Sequence, residues 1–273
     1  MPLATLPDRA ILSVTGADAR TFLQNLVTND VETLQAGDAC FAALLSPQGK
    51  ILFDFPIVCV SNESFLLDTA AGTASALAKR LSMYKLRAKL TIGLTQQHVV
   101  AAWDGSDLQD GIIYRDPRHE NLGFRAIVDA GDAIGDAAAY DAHRIALGVP
   151  KGSVDLASGH ADFAWSDIFP HEANMDLLHG VSFTKGCYVG QEVVSRMQHR
   201  GTTRRRIVRA VIDGPAPAAG SEIRAGETLL GTFGSAAGNK GLANVRIDRL
   251  AEAKAAGLEA TAGPTRLDLV PPV

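Results

Sequence analysis

The chain changes texture near Gly201, and this change limits the fold more than any other feature. Upstream, apolar runs of strand length alternate with segments of helical periodicity. Downstream, helical signals are few, and short apolar runs at 207–212, 228–233, 242–247 and 267–270 alternate with turns. Gly214-Pro215-Ala216-Pro217 is a strong breaker between the first two. Such spacing predicts a small barrel or sandwich. The sequence thus reads as an α+β body followed by a small C-terminal β-domain, either barrel or sandwich.

Within the body, residues 9–14 read as a strand. Residues 18–27 read as a helix with Phe22, Leu23, Leu26 and Val27 on one face. Two apolar runs, 40–45 and 51–60, flank Ser46-Pro47-Gln48-Gly49-Lys50 and predict a β-hairpin. A third strand is expected at 65–69 and a second helix at 73–84, with Leu77, Leu81 and Tyr84 on one face. A further set follows: strands at 90–94, 99–103, 111–114 and 124–128, and a helix at 136–147 closed by Gly148-Val149-Pro150. A polar loop is expected over 151–161. This order predicts antiparallel sheets in a mixed α+β arrangement. The expected divisions are 1–110, 111–200 with a cysteine loop, and 201–273.

Several function classes are excluded by motif. No two glycines stand two residues apart, so there is no G-x-G-x-x-G, and neither a Walker A loop nor a G-x-S-x-G elbow occurs. His171-Glu172 lacks the second histidine of a zinc H-E-x-x-H helix, and no metal site is expected. No apolar run approaches the ~18 residues of a membrane span. The opening residues read as neither a secretory signal nor a transit peptide. Cys40, Cys59 and Cys187 are an odd count at wide spacing, which fits free thiols in a reducing compartment. The expectation is a cytoplasmic protein.

Charge is uneven. Residues 196–273 carry twelve Lys and Arg against seven Asp and Glu, in a chain of net charge −4. Much of the excess is Arg196, Arg200, Arg204, Arg205, Arg206 and Arg209. Such a stripe is a candidate for weak nucleic-acid contact; an edge strand defended by charge is the blander alternative.

The chemistry concentrates in Lys185-Gly186-Cys187-Tyr188-Val189-Gly190-Gln191-Glu192. A helix starting near Gln191 and the cation of Lys185 would both favour a Cys187 thiolate. A reactive or coordinating sulfur and a buried structural cysteine are both open on spacing alone. Upstream, Glu172 and Asn174 of Pro170-His171-Glu172-Ala173-Asn174 are able to turn a carboxylate and an amide toward one pocket. Arg144 is a candidate grip for a carboxylate or phosphate. Asp54 is the one charge in an apolar strand, and solvent-facing is its default placement. Tyr84 and Lys85 close the second helix.

The octamer resembles the signature of the YgfZ family, folate-binding proteins of iron–sulfur cluster metabolism related to the aminomethyltransferase (T protein) of glycine cleavage. Thr28-Asn29-Asp30-Val31, Ser46-Pro47-Gln48-Gly49-Lys50-Ile51-Leu52, Tyr84-Lys85-Leu86-Arg87-Ala88-Lys89, Arg144-Ile145-Ala146-Leu147-Gly148-Val149-Pro150 and Pro170-His171-Glu172-Ala173-Asn174 also fit, in the same order. The resemblance implies two interleaved antiparallel modules and a barrel around a folate-binding hole. It implies a tetrahydrofolate-binding accessory protein that supports assembly or repair of [4Fe–4S] clusters in client enzymes, tRNA-thiolating ones included. Cys187 then inherits the family's essential cysteine, with Lys185 and Gln191 in its loop. Arg144 and Glu172 match folate-contacting positions of the relatives, and Asn174, Tyr84 and Tyr188 are expected to line the same site. Aminomethyltransferases carry an acidic residue in place of Cys187 and are longer. Asp54 falls in the region of their catalytic aspartate, which keeps a one-carbon transferase as the alternative. Iron–sulfur enzymes or cluster carriers are the implied partners.

Overall fold

The structure is a computed structural model that describes residues 2–129, 133–153, 161–201 and 203–272. Strands β1 (Leu3–Thr5) and β2 (Arg9–Thr15) lead to helix α1 (Ala19–Gln24). The hairpin β3 (Ala39–Leu45) and β4 (Ile51–Ser61) is extended by β5 (Ser64–Ala70), and α2 (Ala74–Lys85) follows. Next come β6 (Thr91–Leu94), β7 (His98–Ala102), β8 (Ile112–Arg115), β9 (Phe124–Val128) and α3 (Ala137–Leu147). Two short strands, β10 (Gly152–Ser153) and β11 (Phe163–Ala164), pair in parallel. After α4 (Gln191–Arg200) the barrel strands are β12 (Arg205–Asp213), β13 (Glu222–Ala225), β14 (Thr228–Ala237) and β15 (Lys240–Arg246). Helix α5 (Ile247–Ala255), β16 (Ala260–Ala262) and β17 (Thr265–Val270) complete the chain.

Local sequence explains several boundaries. The Asp136 carboxylate accepts a hydrogen bond from Ala138 N at 2.8 Å and caps α3, and Gly148 ends the helix in the left-handed region at φ +81°. The turn between β3 and β4 closes on Gly49, also at φ +81°.

The first sheet has the order β3-β4-β5-β2-β6 and the second the order β1-β7-β9-β8. The modules interleave because β1 pairs with β7, placing the start of the chain in the second sheet. β6, expected among the later strands, instead pairs with β2 and closes the first sheet. One core fills the space between the first sheet and α1 and α2, with Leu23, Phe55, Phe65 and Leu77 at its centre. A second joins the two modules through Ile11, Phe41, Trp103, Trp165, Met175 and Tyr188. The third lies inside the closed barrel β12-β15-β14-β13-β16-β17. The barrel has six strands and one helix, where sequence showed four runs. β13 and β16 are too short to carry much apolar pattern of their own, whereas α5 is amphipathic, with Leu250 and Ala253 buried, and sequence reasoning passed over it. Most of the loop expected at 151–161 lies outside the described residues.

A buried polar network stitches the modules together. Asp68 on β5 accepts from Arg9 Nε at 2.6 Å, from the Tyr114 hydroxyl at 2.8 Å, and from Arg125. Arg125 also reaches the Tyr140 hydroxyl at 2.8 Å, while Asp116 is held by Arg118 at 2.7 Å. Arg125 Nε lies 2.9 Å from Asp116 Oδ2 without hydrogen-bond geometry. Burial raises the cost of both carboxylates' charge, but the surrounding guanidinium groups outweigh it and hold Asp68 and Asp116 below the usual carboxylate range.

Candidate functional site

The cysteine loop sits where three segments meet. Lys185 is buried, and its ammonium donates to the carbonyls of Gln24, Val27 and Asn29 at 2.7, 2.8 and 2.7 Å. All three of its protons are therefore used on the segment that leaves α1. Burial pulls its pKa down to about 8, with Asp30 acting the other way. The Tyr188 ring lies 5.3 Å from the same nitrogen and packs into the core between the modules. Burial pushes the Tyr188 hydroxyl up to about 12.

Between these two anchors, Cys187 is exposed, whereas Cys40 and Cys59 are buried. A buried structural role for Cys187 is thereby excluded. Burial raises the Cys40 thiol to about 12, which leaves it protonated and inert. The flanking glycines differ. A Cβ on Gly186 would meet nothing within 4 Å. On Gly190, at φ +81°, it would lie 2.7 Å from Ser46 O and 3.1 Å from Gly49 Cα. The hairpin turn and the cysteine loop thus touch backbone to backbone at Gly49 and Gly190. Gly190 is also the N-cap of α4, which begins at Gln191. Gln191 is half-buried at that first position.

The other candidates are placed elsewhere. Asp54 does not face solvent. Its residue keeps some exposure, but the carboxylate points inward and accepts from Trp165 Nε1 at 2.7 Å. The alternation that puts Phe53 and Phe55 in the first core turns Asp54 toward the second module. Burial raises its pKa, opposed by the Trp165 hydrogen bond. Arg144 is not on a solvated face but is buried and paired within the chain. It donates to Asp162 at 2.6 and 3.0 Å, to Asp141 at 2.6 Å and to Val149 O at 3.2 Å. Glu172 accepts from Phe169 N at 3.0 Å. The Asn174 amide donates to Ile207 O at 2.7 Å and ties this segment to the barrel. Tyr84 is half-buried near the end of α2.

Arg144 lines a cavity of about 180 Å³ together with Arg9, Arg118, Arg125, Tyr140 and Lys151. Neither Cys187, Asp54, Glu172 nor Asn174 lines it. The structure therefore separates the cysteine loop from the arginine cavity between the modules, and it places Asp54, Glu172, Asn174 and Tyr84 in neither.

Residues 10–107 match the GCVT N-terminal domain, and residues 204–273 match the CAF17 C-terminal beta-barrel domain. The iron-sulfur cluster assembly factor IBA57, mitochondrial, of Homo sapiens is 34% identical over 277 residues, covering 87% of this chain and 75% of the human one. The chain belongs to the IBA57 family. The IBA57 of Mus musculus is 32% identical over 284 residues, covering 90% of this chain and 77% of its own. The homolog of Mycosarcoma maydis is 36% identical over 232 residues, covering 76% of this chain but 56% of its own. This chain thus spans little more than half of that fungal relative. The aminomethyltransferase T of Bartonella henselae superposes with a TM-score of 0.76 over 99% of this chain and 85% of that one, at 17% identity. That likeness shows the aminomethyltransferase-like fold.

Two expectations change with the IBA57 relatives. They name IBA57 where the octamer suggested YgfZ, while the kinship with the aminomethyltransferase fold stands. The cytoplasmic placement is overturned, since these relatives are mitochondrial proteins and point to mitochondria. Free thiols are compatible with any reducing compartment and could not decide between the two.

Sequence reasoning passed over Trp165, Asp162, Asp68 and Arg125. Asp68 had a signal of the same kind as Asp54, a lone carboxylate in the apolar run 65–69. Asp162 had none, because its partner Arg144 lies 18 residues away across a loop.

Proposed function

We propose that this protein is an iron–sulfur cluster assembly factor that works through Cys187 and a partner's thiols. One observation carries the reading: Cys187 is the exposed cysteine, held at the surface by the buried anchors Lys185 and Tyr188. A [4Fe–4S] cluster takes four thiolates as a rule. Among the described residues no three His, Cys, Asp or Glu side chains converge to hold a metal. One thiolate offers one ligand, so the cluster is cargo shared with a second protein. The names of the IBA57 relatives support the same role. In cells deprived of their own IBA57, the wild-type chain is expected to restore [4Fe–4S] enzyme activity, and Cys187→Ala is not. Full restoration by the variant would overturn the proposal.

The aminomethyltransferase-like fold supports a tetrahydrofolate site; the side chains assigned to it do not. Arg144 is committed to Asp141 and Asp162, and the Asn174 amide to Ile207 O. Arg144 lines cavities of about 180 and 350 Å³, so the misfit rests on its ion pairs and not on volume. As arranged, these residues do not fit the group, and no step is derived through it. The one-carbon transferase alternative needs that folate and is not favoured. Calorimetry with tetrahydrofolate should give no binding heat. A heat present in the wild type and lost in Arg144→Ala would restore the folate site.

A further inference from the structure

The second sheet is largely apolar on both of its faces. Directly paired residues share a face, so the register sets Leu3, Ala102, Phe124 and Arg115 in one outward row and Thr5, Val100, Ala126 and Ile113 in the next. His98 and Val128 follow in a third. The inward residues Val99, Ala101, Tyr114 and Ile127 belong to the core between the modules. Val100, Ala102 and Ala126 are buried as well, yet they belong to none of the three cores. An antiparallel sheet with one face on a core ordinarily turns polar residues to the other, and strands apolar throughout are those covered twice. Here the outer cover is incomplete: Phe124 is 47% exposed and Ile113 37%.

The first sheet shows what covers such a face in this fold: Phe55, Phe65 and Leu67 pack beneath α1 and α2. Among the described residues no helix lies over the outer face of the second sheet, since α3 turns Tyr140 and Ile145 into the core on the other side. That face instead floors a groove of about 790 Å³, with Leu3, Val100 and Val128 at the bottom and Asp107, Asp110 and Asp129 among the residues around it. Ile134, 41% exposed, lines it too. No Lys or Arg does. The three carboxylates are exposed, and residues 104–110 hold three Asp and no cation. Residues 1–195 as a whole carry fourteen Lys and Arg against 23 Asp and Glu. The potential at the groove is therefore negative; it attracts cations and repels polyanions. Arg115, the one Lys or Arg on the outward face, stands at the other end of β8 from Asp110.

Strands ~4.8 Å apart and outward residues ~6.8 Å apart make this face about 14 Å each way, which suits one helix about 10 Å across. A small organic cation in the groove would leave Ile113 and Phe124 uncovered, because neither lines it. An amphipathic helix covers groove and patch together, with apolar residues downward and cations at the rim. We propose that the outer face of the second sheet docks a basic amphipathic helix of another protein, its apolar stripe on Val100, Ile113, Phe124 and Val128 and its Lys or Arg side chains at Asp107, Asp110 and Asp129. No residue of the cysteine loop lines this groove, so the surface is independent of the role of Cys187.

The probe is a fluorescein-labelled peptide of about 18 residues, long enough to hold a helix in water, with Leu along one stripe and Lys on its flanks. One control keeps the composition and scrambles the order so that no stripe forms. A second carries Glu in place of every Lys. Titrated with the full chain and read by fluorescence anisotropy, the striped Lys peptide should bind at least about tenfold tighter than either control. A combined Asp107→Asn, Asp110→Asn, Asp129→Asn variant should bind it about tenfold more weakly. A combined Ile113→Ser, Phe124→Ser variant should lose about as much through the apolar contact. Cys187→Ala protein should bind as the wild type does. Hydrogen exchange of the wild type gives a test that needs no variant: the peptide should raise protection within residues 104–115 and leave α4 unchanged. Equal binding of the striped and scrambled peptides, binding that survives both variants, or protection confined to other parts of the chain overturns the proposal. So does a concentration-dependent dimer in sedimentation that Phe124→Ser abolishes, because the occupant would then be a second copy. No cluster and no thiol enters this assay, so its failure leaves the role of Cys187 standing, and failure of the cellular test leaves this surface standing.

Discussion

Gly49 and Gly190 meet backbone to backbone, although 141 positions separate them: the Cα of Gly49 lies 3.1 Å from where a Cβ on Gly190 would stand. The β3–β4 turn is thus the seat on which the start of α4 rests. Gly190→Ala must resolve a 2.7 Å contact with Ser46 O at φ +81°. It is expected to cost about 1–3 kcal/mol. A urea midpoint unchanged from the wild type would show that turn and loop separate easily.

Lys185 is expected to act as an anchor. Lys185→Met leaves three carbonyls without their donor. The cost should reach at least about 1–3 kcal/mol, that of one buried unsatisfied polar group. Lys185→Arg should not recover it, because a planar guanidinium cannot aim three protons at three converging oxygens. Denaturant titration of both variants measures this.

Thiol accessibility should separate the cysteines cleanly. Native protein treated briefly with iodoacetamide should gain one adduct, at Cys187, because Cys40 and Cys59 are buried. Cys187→Ala should gain none and melt at the wild-type temperature. Intact mass spectrometry and a thermal melt decide both points.

Asp54 should show its burial through pH. Its folded pKa is raised above the unfolded value, chiefly by burial. Its stabilising contribution is therefore full below the unfolded pKa of about 3.8 and is lost as pH rises through the folded value. Asp54→Asn keeps an acceptor for Trp165 Nε1 without the charge. The variant should melt higher than the wild type at pH 7, and the gap should close as the pH falls toward 4. A wild type that is the more stable at pH 7 would mean that the ionised carboxylate is favoured where it lies.

The legible parts of the fold were those whose signals are local. Asp136 and Gly148 mark the ends of α3, Pro47 and Gly49 mark the hairpin turn, and the texture beyond Gly201 marks the barrel. The exposed placement of Cys187 was only half legible. Its glycine neighbours announced an unusual loop, but not which glycine served the contact.

The sequence by itself determined the α+β body, most of its strands and helices, and the all-β character of the chain beyond Gly201, because periodicity, caps and turn residues act within a few positions. Tertiary structure alone decided which charges face one another. Arg144 meets Asp162, Asp54 meets Trp165, and Lys185 meets the carbonyls after α1. Whether a charged side chain grips a ligand or its own chain depends on burial and on partners brought from distant segments, and linear order records neither.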